Sequence, residues 1–115
     1  IIHGANIGEN ALVGMNTVIM DDCEIGSNSI IGALSFVPAN TIIPEGKLVV
    51  GNPAKIVRDV SDEMILWKTK GTALYQQLPE DCMNTLKECK PLREVPTDRS
   101  KQMDIYKSWK RQNSD

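Results

Sequence analysis

Histidine occurs once in these 115 residues, cysteine three times, and neither sign of charge dominates: 13 Lys and Arg face 15 Asp and Glu, a formal net charge of −2. That balance leaves no basic footprint for a nucleic-acid partner. No apolar run is long enough to span a membrane, and no signal-peptide pattern is visible. An odd cysteine count argues against a secreted disulfide scaffold. Cys82 and Cys89 lie two helical turns apart, roughly 10 Å along a helix, too far for a disulfide. A reducing cytoplasm is the expected compartment. Cys-x-x-Cys, a phosphate-binding loop and a serine-nucleophile motif are all missing, so no residue of this chain is assigned as catalytic. The length permits one small domain and an appendage.

What is present is a period of six. Ile1, Ile7, Val13, Ile19, Ile25, Ile31, Val37, Ile43 and Val49 are β-branched aliphatics in unbroken register. A repeat of six is neither helical nor a plain alternating strand. It is the pattern of a parallel β-helix in which each hexapeptide forms one side of a triangular coil. Three hexapeptides close a coil, so residues 18 apart should stack at the strand spacing of about 4.8 Å. The expected ladders are Ile1–Ile19–Val37, Ile7–Ile25–Ile43 and Val13–Ile31–Val49.

Two further positions agree. The fifth points inward near a corner and is small: Ala5, Ala11, Thr17, Cys23, Ser29, Ser35 and Thr41, before Lys47 and Pro53 break it. Cys23 is therefore expected as inert packing. The fourth must turn the corner and reads Gly4, Asn10, Asn16, Asp22, Asn28, Leu34, Asn40, Gly46 and Asn52. All but Leu34 tolerate a left-handed backbone. The expected fold class is all-β, a left-handed parallel β-helix, followed by a C-terminal α-helix. The β-helix with its exit covers residues 1–60, a helical segment 61–90 and a polar tail 91–115. The repeat is in full register at Ile1, without a capping segment. The chain is therefore expected to be the C-terminal part of a longer protein, because a coil that starts abruptly exposes an unpaired edge.

Beyond the coils, Ser61 is placed to cap a helix with Asp62 and Glu63 in its first turn. That helix should run through Met64, Ile65, Leu66 and Trp67 towards Gly71. A second should start at Thr72, with Leu74, Leu78, Cys82, Leu86 and Cys89 as its core side. Pro79 should kink or divide it, and Pro91 and Pro96 end the helical region. Residues 97–115 read as a weakly ordered tail in which Ile105, Tyr106 and Trp109 could dock as a short helix.

The sixth position points outward yet is often apolar. Leu12, Ile30 and Leu48 form one stripe, Val18, Phe36 and Ala54 a second, and Asn6, Glu24 and Ile42 a mostly polar third. Two greasy faces need covers. The C-terminal helix can cover one and another subunit the other, which fits a threefold arrangement of prisms. The alternative is that an N-terminal segment covers both.

His3 occupies the third position, facing outward beside a corner, where it could meet a neighbouring subunit. Asp21 should stack one coil above and could orient the imidazole. The plain alternatives are that His3 is a polar surface residue and that Asp21 and Asp22 merely turn the chain.

The runs His3-Gly4-Ala5-Asn6-Ile7-Gly8 and Ala11-Leu12-Val13-Gly14-Met15-Asn16-Thr17-Val18-Ile19-Met20-Asp21 resemble γ-class carbonic anhydrases. Val49 to Arg58 is a generic exit shared with hexapeptide acyltransferases. Leu66-Trp67-Lys68, Gly71-Thr72, Tyr75-Gln76, Cys82, Thr85-Leu86 and Pro91-Leu92-Arg93-Glu94 resemble the PaaY/CaiE group of that family, linked to phenylacetate and carnitine metabolism. The resemblance covers roughly residues 1–95 and implies homotrimers of left-handed β-helices. It also implies a metal held by three histidines between two subunits, with His3 matching the last of them. The other two ligands would lie upstream of this chain, so these residues alone are not expected to hold zinc. Three neutral imidazoles leave zinc an open position whose water has a pKa of about 7. The zinc-bound hydroxide implied for the intact protein would attack carbon dioxide or a CoA thioester. Two alternatives stay open: a CoA-dependent acyltransferase with His3 as general base, or a non-catalytic trimeric scaffold.

Overall fold

The computed structural model describes residues 1–98. They fall into two compact units, Ile1–Thr69 and a second beginning at Lys70. Seven two-residue strands follow the period of six: β1 (Asn6–Ile7), β2 (Leu12–Val13), β3 (Val18–Ile19), β4 (Glu24–Ile25), β5 (Ile30–Ile31), β6 (Phe36–Val37) and β7 (Ile42–Ile43). Two longer strands close the series, β8 (Lys47–Val50) and β9 (Lys55–Asp59), and one helix follows, α1 (Asp62–Thr85). Three sheets result, ordered β1-β4-β7, β2-β5-β8-β9 and β3-β6. Every pair except β8–β9 is parallel, and the partners stand 18 residues apart, as Ile7↔Ile25↔Ile43 and Val13↔Ile31↔Val49 do. The chain is thus a parallel β-helix with a helix after it.

The rungs make the core. Ile19, Ile25, Ile31, Val37, Ile43 and Val49 are all buried, with Cys23 among them. Each such aliphatic, removed from water, contributes about 1.5–3 kcal/mol. The small fifth-position residues close the corners with hydrogen bonds. Thr17 Oγ1 donates to Gly32 O at 3.0 Å, Ser29 Oγ to Pro44 O at 2.9 Å and Ser35 Oγ to Gly32 O at 2.7 Å. Among the described residues no buried side-chain polar atom lacks a hydrogen-bond partner. At the fourth position φ is positive from Gly4 through Gly46, Leu34 included, and the left-handed corner then passes to Gly51. The chain leaves the coils through a cis Asn52–Pro53 peptide and folds β9 back antiparallel on β8.

Four expectations need correction. The first rung slips by one residue: Ile2, not Ile1, stands opposite Ile19, and Ile1 is 80 % exposed. Secondly, α1 is one helix running through both Gly71 and Pro79. Pro79 removes a single i→i−4 bond, which bends a helix more readily than it ends one. Thirdly, Cys82 and Cys89 are exposed, not core, and Cys89 lies beyond the end of α1. Lastly, Leu74, Leu78 and Leu86 are also exposed, so periodicity alone did not create a covered face there.

Ser61 caps α1 as the sequence suggested, accepting a hydrogen bond from Met64 N at 3.3 Å. Met64 and Lys68, four residues apart on one helix face, are both buried. On the outer stripes, Ile30 is buried with Leu12 and Leu48 half-buried beside it. Val18, Phe36 and Ala54 are half-buried, and Ile42 is exposed. Ile105, Tyr106 and Trp109 lie outside the described residues.

Candidate functional site

His3 is held by the backbone on both sides. Its N–H donates to Ile19 O at 3.0 Å, and the carbonyl of Gly4 accepts from Asp22 N at 2.8 Å. These bonds seat the first corner on the next coil and bring His3 beneath Asp21. The His3 Nδ1 to Asp21 Oδ1 distance is 2.7 Å, and the two side chains are 74 % and 46 % exposed. Gly4 makes the approach possible. Its φ is +58°, and a Cβ there would stand 2.7 Å from Asp21 Oδ1. A side chain at that position would push the carboxylate off the ring.

The pairing fixes the tautomer. An ionised carboxylate only accepts, so Nδ1 is the donor and carries the proton. In the neutral ring Nε2 is then left as a lone pair, free to bind a metal or take a proton. Beside this corner Asn6 Nδ2 donates to Glu24 Oε1 at 2.7 Å, on the outer stripe that Ile42 completes. Among the described residues no three His, Cys, Asp or Glu side chains come together as a metal cage.

The second corner holds residues that sequence reasoning passed over. Lys68 is 8 % exposed and donates to Asn10 Oδ1. Burial pushes its amine below the ordinary lysine value. Asn10 Nδ2 in turn reaches Asn28 Oδ1 at 2.8 Å and Thr69 Oγ1 at 3.2 Å. The sequence carried half the signal: two asparagines 18 apart must stack. Lys68 gave none, because a lysine four residues after Met64 is ordinarily read as a solvated position.

Comparison with known proteins bears on the fold and the family. The family model described as bacterial transferase hexapeptide (six repeats) matches residues 4–39. The carnitine operon protein CaiE of Escherichia coli K12 is 46% identical over 99 residues, 86% of this chain and 50% of that protein. CaiE of Salmonella agona matches with the same identity and coverage. The chain spans about half the length of the curated relatives it matches. Among solved structures, a hexapeptide transferase family protein from Anaplasma phagocytophilum is 33% identical with a TM-score of 0.67. That match covers 70% of this chain and 49% of the other. A Bacillus cereus protein provisionally described as an acetyltransferase is 31% identical with a TM-score of 0.72, covering 75% and 50%. Repeat, stacked strands and kinship to CaiE agree: the chain belongs to the hexapeptide-repeat family.

Proposed function

We propose that these residues are part of a γ-carbonic-anhydrase-like metalloprotein of the CaiE/PaaY kind, which hydrates carbon dioxide or hydrolyses CoA thioesters. The observation that carries this reading is the His3–Asp21 pair. An exposed imidazole whose Nδ1 is taken by a carboxylate leaves Nε2 for a metal, the arrangement that metal-binding histidines ordinarily show. His3 would supply one ligand of a zinc site. The other two would be histidines outside this sequence. Zinc held by three imidazoles would supply an acidified water for attack on an electrophilic carbon. Asp21 fixes the ring plane and its tautomer. Gly4 leaves room for both.

The coil is read as left-handed and the assembly as a homotrimer, as in the family it resembles. Parallel strands are usually joined by right-handed crossovers. The left-handed reading therefore rests on the recurrent positive-φ corner together with that resemblance. An experimental structure coiling the other way would overturn it.

The test uses the full-length protein that contains these residues. His3→Ala should lose its zinc and its turnover of carbon dioxide or acyl-CoA while keeping its circular dichroism spectrum. Full zinc with normal turnover would make His3 a surface residue and remove the metalloenzyme reading. A second reading, CoA-dependent acyl transfer with His3 as general base, is favoured by the descriptions of the two solved relatives. It requires transfer from acyl-CoA to an acceptor that survives removal of zinc by a chelator, whereas the first reading requires hydrolysis that does not.

A further inference from the structure

A directional hydrogen-bond chain runs through the second corner. Lys68 of α1 donates to Asn10 Oδ1. Asn10 Nδ2 donates to Asn28 Oδ1 at 2.8 Å, and Asn28 Nδ2 donates to Glu45 Oε1 at 3.2 Å. The sense of the chain is dictated at both ends. An ammonium can only donate, and a carboxylate can only accept. Each amide has its oxygen on one side and its nitrogen on the other. Turning the Asn10 oxygen to Lys68 therefore aims its nitrogen at Asn28, which in turn aims its own nitrogen at Glu45. The two asparagines are set by their backbones, with φ of 56° and 57° at corners stacked in neighbouring coils. One relay thus joins the helix to three successive coils.

We propose that Lys68, Asn10, Asn28 and Glu45 act as one latch that holds the first two turns of α1, residues 62–69, on the corner of the β-helix. Lys68 sets the orientation of amides it does not touch. The competing description is three separate hydrogen bonds, each acting alone. The two differ in their coupling, since members of a relay polarise and orient one another while separate bonds add.

The experiment is native-state amide exchange on the full-length protein and three variants. Lys68→Met keeps the aliphatic stem without the donor, Asn28→Gly keeps the corner backbone, and the third combines them. Lys68→Met should speed exchange over residues 64–69 by about tenfold, leaving Ile19, Ile31 and Val49 unchanged. Asn28→Gly should also speed exchange in those helical residues, although Asn28 does not contact α1 in the chain of bonds described. The double variant should be no faster than the faster single one. Lys68→Arg, which keeps charge and donors, should retain protection within about threefold. The proposal is overturned if Asn28→Gly leaves helical exchange unchanged, or if the two effects multiply. It is equally overturned if Lys68→Met removes protection from the core strands, because Lys68 would then hold the whole β-helix and not its helix alone.

Discussion

Leu34 sits where the corner demands a left-handed backbone, with φ of 61°, and its side chain is 73 % exposed. Five other non-glycine residues take the same conformation, and all are Asn or Asp. The left-handed region costs an ordinary residue about 1–2 kcal/mol, less for asparagine. So little of Leu34 is buried that Leu34→Asn gives up almost no packing. It should stabilise the protein by about 0.5–1 kcal/mol, read as a rise in Tm. A fall in Tm would mean that Leu34 is covered in solution. At the His3 corner, Asp21→Asn removes the group that dictates the imidazole tautomer, since an amide can donate as well as accept. Zinc affinity of the full-length protein should fall about 10–100-fold, measured by competition with a chelator. Lys68 supplies a pH dependence of defined sign. Burial lowers its pKa below 10.5, so the charged form is disfavoured in the fold. Below the folded pKa both states are protonated and the full penalty of burying the charge is present. From there up to 10.5 the unfolded state binds more protons, so stability rises with pH. Urea unfolding at a series of alkaline pH values should therefore show the natural protein gaining on Lys68→Met, and a shrinking difference would contradict this.

At the scale of elements, coil spacing is set by what the second position of the hexapeptide omits. A Cβ on Gly26 would lie 2.3 Å from Glu45 N, and one on Gly14 would lie 2.4 Å from Ala33 N. In both cases the obstacle is backbone, which cannot swing aside. Gly26→Ala should destabilise by about 1–3 kcal/mol through the separation of neighbouring coils, measured by chemical denaturation. The rungs, the corners and the small fifth position were legible because a solenoid repeats one local environment. Each hexapeptide states the same requirement again, so chance agreement is filtered out. α1 has no such redundancy. Gly71 and Pro79 read locally as boundaries, yet the helix runs through both. A propensity penalty of about 1 kcal/mol for glycine and 3 for proline is small enough to be overridden by the rest of the helix. The His3–Asp21 contact was legible from the spacing of 18 alone. The relay at Lys68 was not, because it depends on where α1 lies beside the corner.

For the whole molecule, the outer surface of the β-helix carries the argument. Met15, Leu34 and Ile42 are exposed at 82 %, 73 % and 73 % but lie off the two apolar stripes, whereas Val18, Phe36 and Ala54 on one stripe are half-buried. Scattered exposed aliphatics need no explanation, but Val18, Phe36 and Ala54 are stacked by the repeat and so form one continuous apolar face. A three-sided coil that presents one side to the next copy makes a heterologous contact. Rotation by a third of a turn closes such contacts into a ring with no contact patch left unmatched. About 800 Å² per partner is the usual requirement for a stable association of this kind. The full-length protein is accordingly expected to be a homotrimer, with a light-scattering mass three times that of the chain at micromolar concentration. Two substitutions locate the contact: Phe36→Glu on the apolar stripe and Ile42→Asp on the mostly polar one. Each puts a charge where the neighbouring copy would desolvate it, and at least one should reduce the mass to that of a monomer. Ile42 is so exposed within its own chain that Ile42→Asp should change monomer stability by no more than about 0.5 kcal/mol. Loss of the trimer in that variant would therefore report the contact itself. A stable monomer in the unsubstituted protein would refute the assembly, and a trimer indifferent to both changes would remove these two faces as its contact.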